Sequence, residues 1–553
     1  MDSLPVEILN QIFSYFCFHC QHSRFFPNAD LEEVRRDKKQ LAHLCLVSKG
    51  VCSVAQPILY HFYATGNSRV ETKIYQGYDD IKKRPWENDY LPQFVRTIAQ
   101  RPDLASRVTA MHIVRGGELT GYESQMEEIE SLFDFSVDNN LLPKPHLPED
   151  WIDGRFSEWR DSQREWLHLW LTTLAIVLST RLDKLLLSID HNAEFSELEY
   201  ARHIKLPSLR TLGLIRNTTD YHFNELEALY AAAPNLENIY ACDAAGWSKY
   251  VVKSYYSGYK YELALPNIKK LVISDLIPEH LGNLLPCVPK LEDLEYYWDG
   301  DNEFDVEDLT ELFQPVKKTL SRLSIVAPPR NFPPFRLEPL PTFIESPRVD
   351  YPPLRTFRGF DKLEDLSIDC YLIYREHDSD EADRLTTLLP RSIRKLRISY
   401  MYKSMDRALL QLAADAPEDF PAFKEITIGV AERTNPIRLD LTPDAKKLLD
   451  KAFNESGIKI SWKKDFLGPD PRTTIPGAMV RSRLIPVPQV MDALEDYELE
   501  VETQPDEKNS FDWISTRASR SLFGTHLRVC ERDGASRKRC HLSTLHPDTR
   551  RVR

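Results

Sequence analysis

Leu206-Pro207-Ser208-Leu209-Arg210-Thr211-Leu212-Gly213-Leu214, closing at Asn217, carries a Leu-x-x-Leu-x-Leu hexad. The same spacing returns along most of the chain. Upstream copies are Val108, Met111 and Ile113, then Leu182, Leu185 and Leu187. Downstream come Leu236, Ile239 and Ala241; Ile268, Leu271 and Ile273; Leu291, Leu294 and Tyr296; and Leu320, Leu323 and Ile325. Leu363, Leu366 and Ile368, then Ile393, Leu396 and Ile398, then Phe423, Ile426 and Ile428 complete the series. From Leu182 onward the first positions step by 27, 27, 32, 23, 29, 43, 30 and 30 residues, so the pattern is irregular but persistent.

A hexad recurring at about 20 to 29 residues resembles the strand signature of leucine-rich repeats. That resemblance implies a solenoid in which each hexad is a short parallel strand with its apolar side chains turned inward, and each intervening segment returns as a helix. Residues 223–232, 279–285, 306–313, 383–389 and 406–414 are helix-like and precede the next hexad. Trp159, Trp166, Trp170, Leu174 and Val177 lie near helical spacing, as packed core does. A terminal unit is expected from a helical pattern at 445–453 followed by Ile458, Ile460 and Trp462 alternating as a last strand. The expectation is therefore an α/β fold whose solenoid occupies 105–464, behind a connecting segment at 64–104. Arg210, Thr211 and Gly213, lying between the buried leucines, are candidates for contact with a target, although plain solvent exposure is the commoner state of any one such residue.

The step of 43 contains nine prolines between Pro328 and Pro353, a density that forbids helix or central strand and predicts an extended crossing loop. Residues 465–553 have prolines, an acidic run and no hexads, and are expected to be a mostly disordered tail. Its last 26 residues hold eight Lys or Arg against three Asp or Glu, including Arg537-Lys538-Arg539, too short a run to weigh as an import signal.

The N-terminus is organised differently. Leu4-Pro5-Val6-Glu7-Ile8-Leu9-Asn10-Gln11-Ile12-Phe13 opens with a proline suited to the first helical position and an acid near the positive helix end. Ile8, Leu9, Ile12, Phe13 and Phe16 form a band wider than one core-facing stripe, which leaves apolar surface for a partner. Leu44-x-Leu46-Val47-Ser48-Lys49 and Ala55-x-Pro57-x-Leu59-Tyr60 follow, and three short helices are implied. In this order the sub-motifs resemble the F-box, in the form common among fungal F-box proteins, over residues 1–63. The resemblance implies docking onto the Skp adaptor of an SCF-type ubiquitin ligase, and through it onto a cullin. Leu4, Pro5, Ile8, Leu9, Ile12, Phe13, Leu44, Leu46, Val47 and Leu59 are the implied adaptor-binding residues. Two departures from the family pattern are a long linker at 17–40 and Gly50, where a larger residue is common.

That linker holds Cys17, His19, Cys20 and His22, with Cys45 and Cys52 beyond it. Cys17-x-x-Cys20 is one half of a zinc pattern, but no second half at ligand spacing follows, so the expectation is no metal and no cofactor. Nine cysteines without a framework fit a reducing compartment. Acidic groups at 299–307 and 376–383 lack calcium-loop spacing.

With a net charge of −13 the chain is not suited to nucleic acid or anionic membrane, and its acidic body argues for protein partners. No secretory signal pattern opens it, and the longest apolar run, 167–178, is far short of the roughly 20 residues needed to span a bilayer. A cytoplasmic or nuclear protein is expected. Phosphate-binding glycine loops, His-Glu-x-x-His and Gly-x-Ser-x-Gly are all missing from the sequence. The expected role is non-catalytic: a substrate receptor of a ubiquitin ligase, or alternatively an F-box scaffold acting outside one, with an unidentified target on the repeats.

Overall fold

Each hexad becomes a strand because a turn delivers it there. Leu206-Pro207-Ser208-Leu209, Ala233-Pro234-Asn235-Leu236 and Val288-Pro289-Lys290-Leu291 place proline second in a four-residue turn, where its fixed φ fits. The turns close by hydrogen bonds from Leu209 N to Leu206 O at 3.1 Å, Leu236 N to Ala233 O at 3.1 Å and Leu291 N to Val288 O at 3.0 Å. Neighbouring turns are stitched together, with Asn235 Nδ2 donating to Pro207 O at 2.8 Å and Asn267 Nδ2 to Pro234 O at 2.9 Å.

The computed structural model describes residues 4–23, 26, 32–64, 91–113, 126–143, 161–189, 204–216, 221–242, 244–246, 263–274, 276–297, 309–326, 354–373, 382–399, 405–430 and 443–464. These belong to one compact unit, Met1–Ile485; a second unit, Pro486–Arg553, lies wholly outside the described residues. Also outside are the proline-rich stretch, the tail from 465, the acidic stretch 299–307 and most of 376–383, Asn217 and Trp159.

Helices α1 (Val6–Ser14), α2 (Phe18–Gln21), α3 (Glu32–Leu44) and α4 (Lys49–Leu59) form the N-terminal module. The strands are β1 (Phe62–Ala64), β2 (Ala110–Ile113), β3 (Lys184–Ile189), β4 (Thr211–Arg216), β5 (Tyr221–His222), β6 (Asn238–Cys242) and β7 (Ala244–Gly246). They continue as β8 (Lys270–Ser274), β9 (Asp293–Tyr297), β10 (Arg322–Val326), β11 (Asp365–Asp369), β12 (Lys395–Ser399), β13 (Glu425–Val430) and β14 (Lys459–Lys464). Between them lie α5 (Leu91–Gln100), α6 (Pro102–Ala105), α7 (Met126–Asp138), α8 (Asp161–Leu178), α9 (Glu227–Ala232), α10 (Pro278–Leu284), α11 (Leu309–Leu312), α12 (Arg384–Leu388), α13 (Asp406–Asp419) and α14 (Pro443–Glu455).

One sheet of 12 strands runs in the order β1-β2-β3-β4-β6-β8-β9-β10-β11-β12-β13-β14, and every pairing is parallel. β5 and β7 pair separately. The sequential parallel order with helical returns is that of a solenoid of strand–helix units. Register aligns the hexads residue for residue: Met111, Leu185, Leu212, Ile239, Leu271, Leu294, Leu323, Leu366, Leu396, Ile426 and Ile460 form one continuous row. The hexad residues from Val108 to Ile428 are all buried in a single core between this sheet face and the helices, and Ile460 packs half-buried against it. Trp170 in α8 is fully buried there, its ring 4.6 Å from that of Phe133.

The terminal unit closes as expected. Gly457 takes φ +75°, which turns α14 into β14, while Gly457 N donates to Asn454 O at 3.1 Å and Ile458 N to Phe453 O at 2.9 Å. Those two bonds satisfy the last helical carbonyls, and buried Phe453 and Ile458 complete the hydrophobic contact such an ending uses.

Two N-terminal expectations need correction. Pro5 caps α1 instead of occupying its first turn: it has extended φ/ψ, and its carbonyl accepts from Ile8 N and Leu9 N, each at 3.1 Å. The 17–40 segment is not simply a linker, since α2 and most of α3 lie in it. α4 is capped by Ser48, whose Oγ accepts from Val51 N at 3.2 Å. The module has its own core of Leu9, Phe13, Cys17, Val34, Leu41, Val51, Val54, Ala55, Ile58 and Phe62. β1, which the sequence pattern did not show, joins this core to the sheet: Phe62 packs in the module, and Tyr63 packs in the main core, stacked on Phe94 at 4.1 Å.

Candidate functional site

α1 divides its apolar residues between two sides. Leu9 and Phe13, four apart, point inward at 4% and 1% exposure. Ile8, Ile12 and Tyr15, spaced by four and three, share the outer stripe, at 43%, 39% and 65% exposure, and Leu4, just ahead of the helix, is 42% exposed. Pro5 and Val6 are exposed beside them. In the turn between α3 and α4, Leu46 is 83% and Val47 62% exposed, whereas Leu44 and Leu59 are half-buried against the module core. Among the described residues, the only other exposed large hydrophobic side chains are Val137 and Leu448. Of the ten residues singled out from sequence, six therefore present apolar surface and four hold the helices that carry them. Val6 and Tyr15 belong to the same exposed set but lie outside the motif letters.

Behind α1 lies a second constellation. Cys17, His19, Cys20 and His61 each offer one ligand atom, and these four atoms lie within 4.8 Å of one another. Cys20 Sγ is 3.2 Å and Cys17 Sγ 3.8 Å from His61 Nδ1, and the His19 and His61 rings meet edge-on at 5.6 Å. Three of these groups come from four consecutive residues. Cys17 has an extended backbone just ahead of the α2 turn, which carries His19 and Cys20. His61 comes from the other end of the module, and its carbonyl is held by Thr109 N at 2.9 Å, Thr109 Oγ1 at 2.8 Å and Ala110 N at 3.3 Å. The hydrogen bond from the Cys17 thiol holds the Cys20 pKa far below the usual thiol value, aided by His19 and His61; serving as that donor, together with burial, drives the Cys17 pKa up. Cys45 is not part of this group. Burial first, and Cys52 second, push its pKa up to about 11.

The sheet face opposite the core bears alternating charge. Lys270, Asp293, Arg322, Asp365, Lys395, Glu425 and Lys459 occupy one continuous row across successive strands. Asp293 is bridged by Lys270 at 3.1 Å and Arg322 at 2.6 Å, Lys395 meets Glu425 at 3.6 Å, and Arg397 reaches Asp365 at 3.3 Å. Burial disfavours the Lys270 ammonium, but Glu295 and Asp293 outweigh that and raise its pKa. Burial raises the Asp365 pKa, against the pull of Arg397 and Lys395. Of the candidate contact positions, Arg210 is exposed and paired with Glu237 at 2.8 Å, and Thr211 accepts from Asn238 Nδ2 at 3.3 Å. Gly213 is covered: Phe26, from the α2–α3 connection, packs over it among Leu186, Ile215, Tyr240, Val272 and Tyr297.

No protein-family model matches the sequence, and no curated protein is significantly similar to it. Among the described residues, no helix is long and apolar enough to cross a membrane.

Proposed function

We propose that the chain is an F-box protein with a leucine-rich-repeat body, acting as the substrate-recognition subunit of an SCF-type ubiquitin ligase. Residues 4–63 bind the Skp adaptor, and the repeats hold a target protein. The observation that carries this reading is the concentration of exposed apolar side chains on the module, on one stripe of α1 and at Leu46 and Val47, where water is a poor partner and a protein groove a good one. The path from Phe62 to Tyr63 gives the reading its mechanism. A module whose last residues are also the first strand of the sheet holds its cargo at a set place relative to the adaptor, and such a receptor accelerates ubiquitin transfer by proximity and orientation alone.

Co-purification of the full chain with the Skp adaptor and cullin tests it. The intact chain is expected to retain both, and a chain carrying Pro5→Ala with Ile8→Asp to bind the adaptor at least about tenfold more weakly, since each apolar anchor buried in a groove contributes about 1.5 to 3 kcal/mol. Failure of the intact chain to retain the adaptor, or equal retention by the double variant, refutes the reading.

A further inference from the structure

The Cys17, His19, Cys20 and His61 cluster contains none of the residues proposed to dock the adaptor, and its chemistry points elsewhere. Two thiol sulfurs and two imidazoles are a borderline-soft donor set, which selects zinc over the oxygen-seeking calcium and magnesium. Tetrahedral zinc, with bonds of about 2.3 Å to sulfur and 2.0 Å to nitrogen, sets its ligand atoms roughly 3.3 to 3.8 Å apart. Two of the pairs already fall near this range, at 3.2 and 3.8 Å, and all four atoms lie within 4.8 Å of one another, so small side-chain rotations close the shell. His19 Nδ1 is buried and has no hydrogen-bond partner among the described residues. The His61 backbone is pinned to Thr109 and Ala110 at the start of β2, which fixes the position from which its ring reaches the cluster.

We propose that Cys17, His19, Cys20 and His61 form a structural zinc(II) site that staples the end of α1 and the α2 turn to the residue entering β1. On binding, zinc takes both sulfurs as thiolates, and any proton that either thiol carries leaves to solvent. The staple joins the docking module to the edge of the sheet. It adds to the Phe62 and Tyr63 connection a second, metal-dependent link between the two cores. The site stands whether or not the module binds an adaptor, and its test uses no adaptor.

The full chain, purified under reducing conditions and dialysed against a weak chelator, is expected to hold one zinc per chain by elemental mass spectrometry. Replacement by cobalt(II) is expected to produce the intense visible bands of a tetrahedral site and a near-ultraviolet thiolate-to-metal band. Cys20→Ser and His61→Ala should each lose the metal, while Cys45→Ser and Cys52→Ser keep it. Strong chelation should raise amide exchange across Val6–Gln21 and leave β4 to β13 unchanged. A metal-free chain that also refuses cobalt, a Cys17–Cys20 disulfide in the freshly reduced protein, or full metal content in Cys20→Ser with His61→Ala overturns the proposal. Should those variants fail to fold, the metal content and cobalt spectrum of the unaltered chain decide it.

Discussion

At Gly213 a single hydrogen makes room for a neighbour. A Cβ there would lie 2.5 Å from Leu186 Cδ1 and 3.2 Å from the Phe26 ring, so both side chains must move to admit it. Gly213→Ala is expected to lower stability by about 1 to 3 kcal/mol in denaturant unfolding, the usual cost of overpacking, and Phe26→Leu in the same chain to recover part of that loss. A Gly213→Ala chain as stable as the original would mean that Phe26 does not sit over this position. Cys45 offers a pH-dependent check. Its pKa of about 11 leaves little thiolate at neutrality, so its alkylation should quicken by about tenfold per pH unit up to that value. Cys52→Ala removes a charge and a hydrogen bond that both raise the Cys45 pKa, and should shift the rate profile to lower pH. Peptide mapping after timed alkylation measures both effects.

Between elements, the same side-chain alternation performs two tasks. From β8 to β14, one residue of each strand adds to the apolar row inside and its neighbour adds to the charged row outside, so each of these strands is matched to its neighbours by packing and by sign. Because a slip of one residue would exchange the two faces, the combination specifies register strongly. Asp293, 6% exposed between Lys270 and Arg322, is the point where this can be probed. Asp293→Asn should cost about 1 to 3 kcal/mol, through the weakened hydrogen bonds of two cations. Asp293→Lys should cost more, because three cations would then stand side by side across β8, β9 and β10. Thermal unfolding ranks the two, and equal effects would show that the row is only a surface decoration.

For the whole molecule, a parallel sheet of this length has two edges to protect. β1 continues directly from the helical module, Lys38 of α3 donating to Phe62 O at 3.0 Å, and among the described residues β14 is the last strand, carrying Lys459, Lys463 and Lys464. A chain ending at residue 442 removes α14 and β14 and bares β13, whose unpaired backbone groups are a template for association. Such a chain should self-associate at concentrations where the full chain does not, as light scattering would record. If it stays monomeric, the terminal unit is not the cap of the array.

The repeat body was legible from its letters, because a Leu-x-x-Leu-x-Leu spacing is local and each copy buries the same three positions in the structure. Even the last unit was readable, since the helical spacing of 445–453 and the alternation at Ile458, Ile460 and Trp462 are short-range signals. On α1, sequence marked a band too wide for one core but could not divide it. Packing against α4 decided that Leu9 and Phe13 face in while Ile8 and Ile12 face out. β1 escaped notice because three residues carry no periodicity, and their strand state depends on β2, nearly 50 residues away. Phe26 over Gly213 and His61 beside Cys20 were hidden for the same reason. Local order is written in neighbouring residues, whereas a side chain meeting another 41 or more positions away is set by the folded core between them.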